Sequence, residues 1–341
     1  MIRSGIPALR PWGRHASWIA AWFAACAFSQ PATAQIPPQT AASFPSKPIR
    51  LVIPNPPGGV ADSLTRLLAQ GLQAKWGQAV VPENRPGASQ MIGSEIVAKA
   101  APDGYTLLLG THQSHQNNSG LYATLPYDPI NDFVPIIRLT TAPLVLAVHP
   151  SVPAKTLGEL LAIARAKPGS LNYGSAGNGS GGHIGMAMLE QMANVRMTHV
   201  PYKGPAPASL DLVGGRIDAL IDTVFSQIGN IRSGKVRALG VTSLQRSPLF
   251  PEVPAIAELG LSGFEVVGWF GLFAPAGTSR DIILKLNTEI VRIMNEPDTK
   301  TFLTNQGLVV ATDSPEEFAQ HVEREIAKWT KSIRGAKIKA D

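Results

Sequence analysis

Cysteine is almost missing. Cys26 is the only one among 341 residues, so the chain can close no internal disulfide and offers no set of thiolates to a metal. A surplus of one charge is missing as well. Basic residues number 30 and acidic residues 24. Three of the basic ones, Arg3, Arg10 and Arg14, belong to the leader described next, which leaves 27 against 24. No stripe of lysine and arginine interleaved with aromatics occurs, so a nucleic-acid partner has no electrostatic footprint. Beyond the leader, no apolar run is long enough for a transmembrane helix.

The leader is a basic start, an apolar stretch from Ser17 to Phe28, and Pro31-Ala32-Thr33-Ala34, a small-x-small site. This is the layout of a secretory signal peptide over 1–34, with cleavage expected after Ala34. The mature chain would then have no cysteine and would be exported to the periplasm. A competing reading makes Phe23-Ala24-Ala25-Cys26 a lipoprotein processing site, but Phe suits its first position poorly. Residues 35–44, rich in Pro, Ala and Thr, read as a flexible leader.

Two stretches of the remaining chain follow the same order of strand, glycine-rich loop, helix, strand, loop, helix, strand. The first starts at Ile49–Pro54 (IRLVIP), a β-branched run suited to burial on both faces. Asn55-Pro56-Pro57-Gly58-Gly59 breaks it, and Leu64, Leu67, Leu68 and Leu72 then recur at helical spacing. The second starts at Leu171–Gly174, passes through Ser175-Ala176-Gly177-Asn178-Gly179-Ser180-Gly181-Gly182, and enters a helix at His183. Long runs at 136–149 and 264–273 can carry the chain from one half to the other and back. The pattern predicts an α/β fold of two mainly parallel sheets wrapped by helices and joined by a double crossing. The first lobe would hold 45–140 and 264–341, and the second 141–263. In such sheets the strand C-termini face the ligand, so both glycine loops should open on a cleft.

A helix start preceded by glycines has unpaired N–H donors and a partial positive charge, so an anion is its natural guest. Other chemistries fit less well. Gly177-x-Gly179-x-x-Gly182 matches a dinucleotide fingerprint, but the acid expected about 20 residues on is replaced by Tyr202-Lys203. Lys203 keeps only an NADP variant open. Ser180 as a nucleophile would need Gly where Asn178 stands. His112-x-x-His115 lacks the frame and carboxylate of a metal site. The polar run Gln113, Ser114, His115, Gln116, Asn117 follows a strand and is expected to face the cleft. Asp222, at a strand end, could bond a ligand amine or hydroxyl, or cap the following turn.

The segments PSKPIRLVIPNPPGGVADSLTRLLAQGL, ENRPGASQMIGSEIVAKAAPDGYTLLLG, LNYGSAGNGSGGHIGMAMLEQM, HVPYKGPAPASLDLVGGRIDALID and GWFGLFAPAGT resemble the tripartite tricarboxylate transporter substrate-binding family, the Bug proteins. The resemblance runs from about Pro45 to the C-terminus. It implies a two-lobed periplasmic-binding-protein type II fold that closes on a small organic acid, with no catalysis, no cofactor and no metal. Family members hold a carboxylate through backbone amides, which here correspond to Pro57, Gly58, Gly59, Ala61 and Asp62 and to Ser175, Ala176, Gly177, Gly179, Ser180 and His183. Tyr202, Lys203, Gly204 and Asp222 match family positions near the pocket. Asn55 stands where the family usually has an aromatic, and His112-Gln113-Ser114 is unusual ahead of His115. The expected reading is a monomeric receptor. Asn55, Gln113, Ser114, His115 and Asp222 would recognise the rest of the ligand, closure would occur near Thr140 and Phe264, and a transporter or a sensor kinase would be the partner.

Overall fold

Strand β1 (Ile49–Ile53) buries Leu51, Val52 and Ile53 completely, as a central strand covered on both faces must. The computed structural model describes Met1, residues 43–335 and Ile338. Cleavage after Ala34 and lipidation at Cys26 therefore lie outside the described residues. Beside β1 run β2 (Val80–Asn84) and β3 (Thr106–Thr111), both parallel to it. The crossovers are α1 (Val60–Trp76) and α2 (Met91–Ala98). Helix α1 turns Leu64, Leu68 and Leu72 inward and ends at Gly77, whose φ of 66° is the left-handed cap that glycine adopts without strain. A π-helical turn, His112–Asn117, and the short α3 (Asn118–Leu121) follow β3.

Strand β4 (Phe133–Val148) changes partners half-way. The second half of the chain then adds α4 (Leu157–Ala166), β5 (Asn172–Ser175), α5 (Gly181–Ala193), β6 (Thr198–Pro201), α6 (Pro205–Val213), β7 (Ala219–Thr223), α7 (Val224–Arg232) and β8 (Arg237–Val241). The chain returns through β9 (Val267–Pro275) and closes with α8 (Arg280–Met294), α9 (Pro297–Asn305), β10 (Val309–Val310) and α10 (Pro315–Gly335). The sheet order is β2-β1-β3-β9-β4-β7-β5-β6, with β8 and β10 also on β4. Residues Phe133 to Pro143 of β4 pair antiparallel with β9, whereas Leu144 to Val148 pair with β7 and β8. The partner change falls at Pro143-Leu144, and on the return strand at Val266-Val267, where the Val266 amide still bonds Thr242 and Val267 already faces Pro143. Both crossing strands run antiparallel to their neighbours, so each half is parallel only in its outer strands.

Two main cores flank the crossing. One gathers β1, β3, α1 and α8, with Leu51, Leu107, Leu286 and Ile290 fully buried. The other gathers β4, β5, α4 and α5, with Leu146, Leu160, Tyr173 and Leu189. Phe44 corrects the sequence reading, which placed it in the flexible leader. It is 2% exposed, its ring lies 5.0 Å from Tyr105 and 6.0 Å from Trp76, and its carbonyl accepts Lys285 Nζ at 2.5 Å. Helix α10 bridges a third, aromatic cluster, where Phe318 packs with Trp269 and Phe273 beside Val52 and Leu108, and the second core, which Trp329 and Ile333 join.

Candidate functional site

The strand ends and helix starts of both halves surround one cavity of about 370 Å³. Asn55 comes from the end of β1, Gln113 from that of β3, Ala176 from that of β5 and Asp222 from that of β7. Four helices begin at its wall: α1 at Val60, α5 at Gly181, α6 at Pro205 and α7 at Val224. Each start adds partial positive charge, and the unpaired amides lie mainly at α1 and α5, since α6 opens on Pro205 and Pro207 and Asp222 takes the Thr223 amide at α7. The crossing strands form the floor through Pro143, Leu144 and Phe270.

The second glycine loop is built tightly. Gly177 and Gly179 take φ of 122° and 71°, which L side chains rarely adopt. Ser175 Oγ donates to the Gly177 carbonyl at 3.0 Å and lies 2.7 Å from His199 Nε2. Ser180 caps α5 by accepting the His183 amide at 3.4 Å. The Gly179 amide donates to His183 Nδ1 at 3.1 Å, which fixes that nitrogen as the acceptor. The His183 ring stacks 3.9 Å from His199, and His199 stacks 4.9 Å from Tyr173. The loop therefore rests on a three-ring column.

The first glycine loop is braced by Asp62. Its Oδ2 accepts the Gly58 amide and Arg66 Nε, each at 3.0 Å. Arg66 foremost holds the Asp62 carboxyl below its ordinary pKa. Pro57, Gly58 and Gly59 are exposed and, like Ala61 and Asp62, do not line the cavity; Asn55 and Val60 do.

The polar run after β3 divides. Gln113 lines the cavity and donates to Asn118 Oδ1 at 2.8 Å. Ser114 is fully buried and its hydroxyl bonds the backbone of Thr111. His115 is also fully buried, with its ring 4.2 Å from Phe273 in a stack and 5.0 Å from Phe133. Burial pushes its pKa down to about 3. Gln116 accepts the Trp269 indole N–H at 3.0 Å, and Asn117 donates to the Gly179 carbonyl at 3.3 Å. Ser114 and His115 thus serve the fold where the sequence suggested the ligand, because the π-turn directs them into the aromatic core.

Asp222 lines the cavity but is partly used by its own helix. Its Oδ1 accepts the Thr223 amide at 2.7 Å and its Oδ2 the Ser226 hydroxyl at 2.6 Å. Burial raises its pKa. Tyr202 turns its hydroxyl to Asp211 at 2.7 Å, Lys203 is exposed, and the Gly204 amide bonds the Ala176 carbonyl at 3.2 Å. The Tyr202 and Gly204 amides brace the glycine loop, and none of the three lines the cavity; nor do Ser175, Gly177, Gly179 and His183.

Several lining residues were not assigned to the ligand from the sequence. His112 borders the cavity, and burial pushes its pKa down to about 4. Phe225, Phe270 and Leu308 give apolar wall, and Gln90 a polar edge. His112 could have been found from its place at a strand end. Leu308 could not, because it depends on where the turn after α9 lands. Among the described residues no group of three or more His, Cys, Asp or Glu is placed to hold a metal ion, and no helix is long and apolar enough to cross a membrane.

Residues 64–338 match the tripartite tricarboxylate transporter family receptor. The chain belongs to that family. A UPF0065 protein from the tcbD–tcbE intergenic region of a Pseudomonas species is 43% identical over 306 residues, covering 88% of this chain and 89% of that one. Protein BugT of Bordetella pertussis is 36% identical over 305 residues, covering 89% and 94%. Among solved structures, Rpa4515 of R. palustris with adipate has a TM-score of 0.78 at 37% identity, covering 87% of this chain and all of that one (100%). MatC of Rhodopseudomonas palustris with bound malate has a TM-score of 0.73 at 35% identity, covering 85% and 100%. The fold is the two-lobed periplasmic-binding-protein type, crossed twice by the chain, and the family is one of solute-binding receptors.

Proposed function

We propose that this family member captures a small carboxylic acid between its lobes and delivers it, in the periplasm, to a tripartite tricarboxylate-type membrane transporter. The observation that carries the reading is the meeting of four helix starts around one cavity at the crossing. Such starts favour a carboxylate without any cationic side chain. The relatives solved with adipate and malate support the same ligand class. Asn55, Gln113, Ala176, Ser180 and Asp222 are assigned to direct contact, with the remaining loop residues in support. The lobes are assigned to 45–140 with 264–341 and to 141–263, and closure to bending of the two crossing strands. The receptor acts as a monomer, without cofactor, metal or turnover.

The test is native mass spectrometry of the freshly purified mature chain, followed by thermal-shift screening of small carboxylic acids. A ligand at a hundred times its Kd adds about 2.7 kcal/mol of stability. A co-purified acid or a dose-dependent rise in melting temperature is expected. No response to any acid, or stabilisation by NADP, overturns the reading. Ser180→Ala should change affinity only; loss of a turnover activity would point to a hydrolase.

A further inference from the structure

The four helix starts around the cavity are not equivalent, and their differences limit how much negative charge the site can hold. Helix α6 opens on Pro205-Ala206-Pro207, so two of its first three positions have no N–H to give. Helix α7 opens beside Asp222, whose carboxylate already takes the Thr223 amide and the Ser226 hydroxyl and faces that positive end itself. Helices α1 and α5 remain. They open on Val60 and on Gly181-Gly182, whose amides have no carbonyl partner within their own helices; Asp62 in the first turn of α1 already accepts the Gly58 amide, and Arg66 offsets its charge. Two open starts suffice for the lone pairs of one carboxylate.

The other lining groups agree. Of the described side chains that line the cavity, only His112 and Asp222 are ionisable, and none is Lys or Arg. Burial holds His112 neutral. The lining residues include acceptors: the Asp222 carboxylate and Asn55 Oδ1, which is buried without a bonding partner. The wall between them is apolar, formed by Leu144, Ile221, Phe225, Phe270 and Leu308. A second carboxylate beside Asp222 would meet a like charge, which disfavours it, and elsewhere it would meet this wall or the uncharged amides and hydroxyls of Gln90, Ser180, Thr223 and Gln306, with no cation to balance it. A hydrogen-bond donor would meet waiting acceptors.

Resting on the receptor reading above, we infer that the ligand is a monocarboxylic acid with an apolar body and one hydrogen-bond donor, hydroxyl or ammonium, in place of a second carboxylate. Asp222 and Asn55 select the donor, and α1 and α5 hold the acid.

Isothermal titration with two matched series tests this at pH 7.5. One is hexanoate, 6-hydroxyhexanoate, 6-aminohexanoate and adipate. The other is benzoate, 3-hydroxybenzoate, 3-aminobenzoate and isophthalate. In at least one series a donor-bearing acid should bind tenfold or more tighter than both the plain acid and the diacid, the scale of one hydrogen bond to a charged group. The hydroxyl and amino members tell which donor is used. Asp222→Asn should erase most of that preference and strengthen diacid binding by about tenfold. Should the variant fail to fold, the ratios in the unaltered protein still decide. A diacid as tightest binder, or a plain acid equal to its donor-bearing partner, overturns the inference and leaves the receptor reading standing. No binding by either series or by any screened acid overturns both.

Discussion

Gly182 lies so close to Ile221 that a Cβ built on it would stand 2.1 Å from the Ile221 carbonyl oxygen. The first turn of α5 is thereby pressed against β7, and Gly181, Gly182 and Ile221 line the cavity together. Backbone meets backbone there, so no side chain can yield. Gly182→Ala should destabilise the fold by roughly 1–3 kcal/mol, the usual range for overpacking. It should also weaken carboxylate binding at least tenfold by moving the helix start. Chemical denaturation and calorimetry on one preparation separate the two effects. Unchanged stability and affinity would mean that the two segments are free to part.

The sequence disclosed the elements that local pattern controls. Ile282, Leu286, Ile290 and Ile293 recur at helical spacing and are all buried on α8. The repeated strand, loop and helix order correctly foretold which strand ends face the cavity. Residues whose partners are distant were not legible. Gln113 to Asn117 looked like a polar cluster with Gln113, Ser114 and His115 facing the ligand, yet Ser114, His115, Gln116 and Asn117 spend hydrogen bonds or ring contacts inside the chain. A polar side chain does not declare from sequence whether ligand or protein satisfies it. Phe44 was misread because the Pro- and Ala-rich residues before it mask its place against Trp76 and Tyr105.

Helix α10 joins the aromatic cluster on β1, β3 and β9 to the second core, so its two aromatic anchors should report on both. Phe318 is fully buried against Phe273, with ring centroids 5.0 Å apart, and Trp329 is 2% exposed and donates its indole N–H to Glu325 at 2.8 Å. Each replacement by Ala should cost about 3–5 kcal/mol. If α10 unites the halves, the two variants lower one shared unfolding transition in calorimetry. Two separate transitions, each moved by only one variant, would refute that role.

His112 and His115 are buried neutral, with pKa values pushed to about 4 and about 3 by loss of hydration. An unfolded histidine titrates near 6.5. Below that pH the unfolded chain binds more protons than the native chain, so stability falls as pH drops. The loss begins near pH 6.5 and continues through about pH 4, with no contribution above about pH 7. His321 is likewise pushed down to about 3 by burial and by nearby Arg138, and three such groups set a slope of up to about 4.1 kcal/mol per pH unit. His115→Phe keeps the aromatic stack and should remove about a third of the slope. An unchanged slope in urea titrations between pH 7 and pH 4.5 would show that His115 is not held neutral.

Asn117 reaches from the turn after β3 to the Gly179 carbonyl at 3.3 Å and also donates to Gln113 Oε1 at 3.3 Å. It thus links a cavity-lining residue of the first half to the glycine loop of the second. If the halves part when empty, this bond forms only on closure and its energy goes to ligand affinity. One neutral hydrogen bond contributes about 1 kcal/mol, or roughly a fivefold change in Kd. Asn117→Ala should therefore weaken carboxylate binding about three- to tenfold, chiefly through faster dissociation in stopped-flow traces. The unliganded melting temperature should shift far less than for Gly182→Ala. The opposite pattern, a large loss of unliganded stability with unchanged dissociation, would mean that the link between the halves is permanent and that closure does not use it.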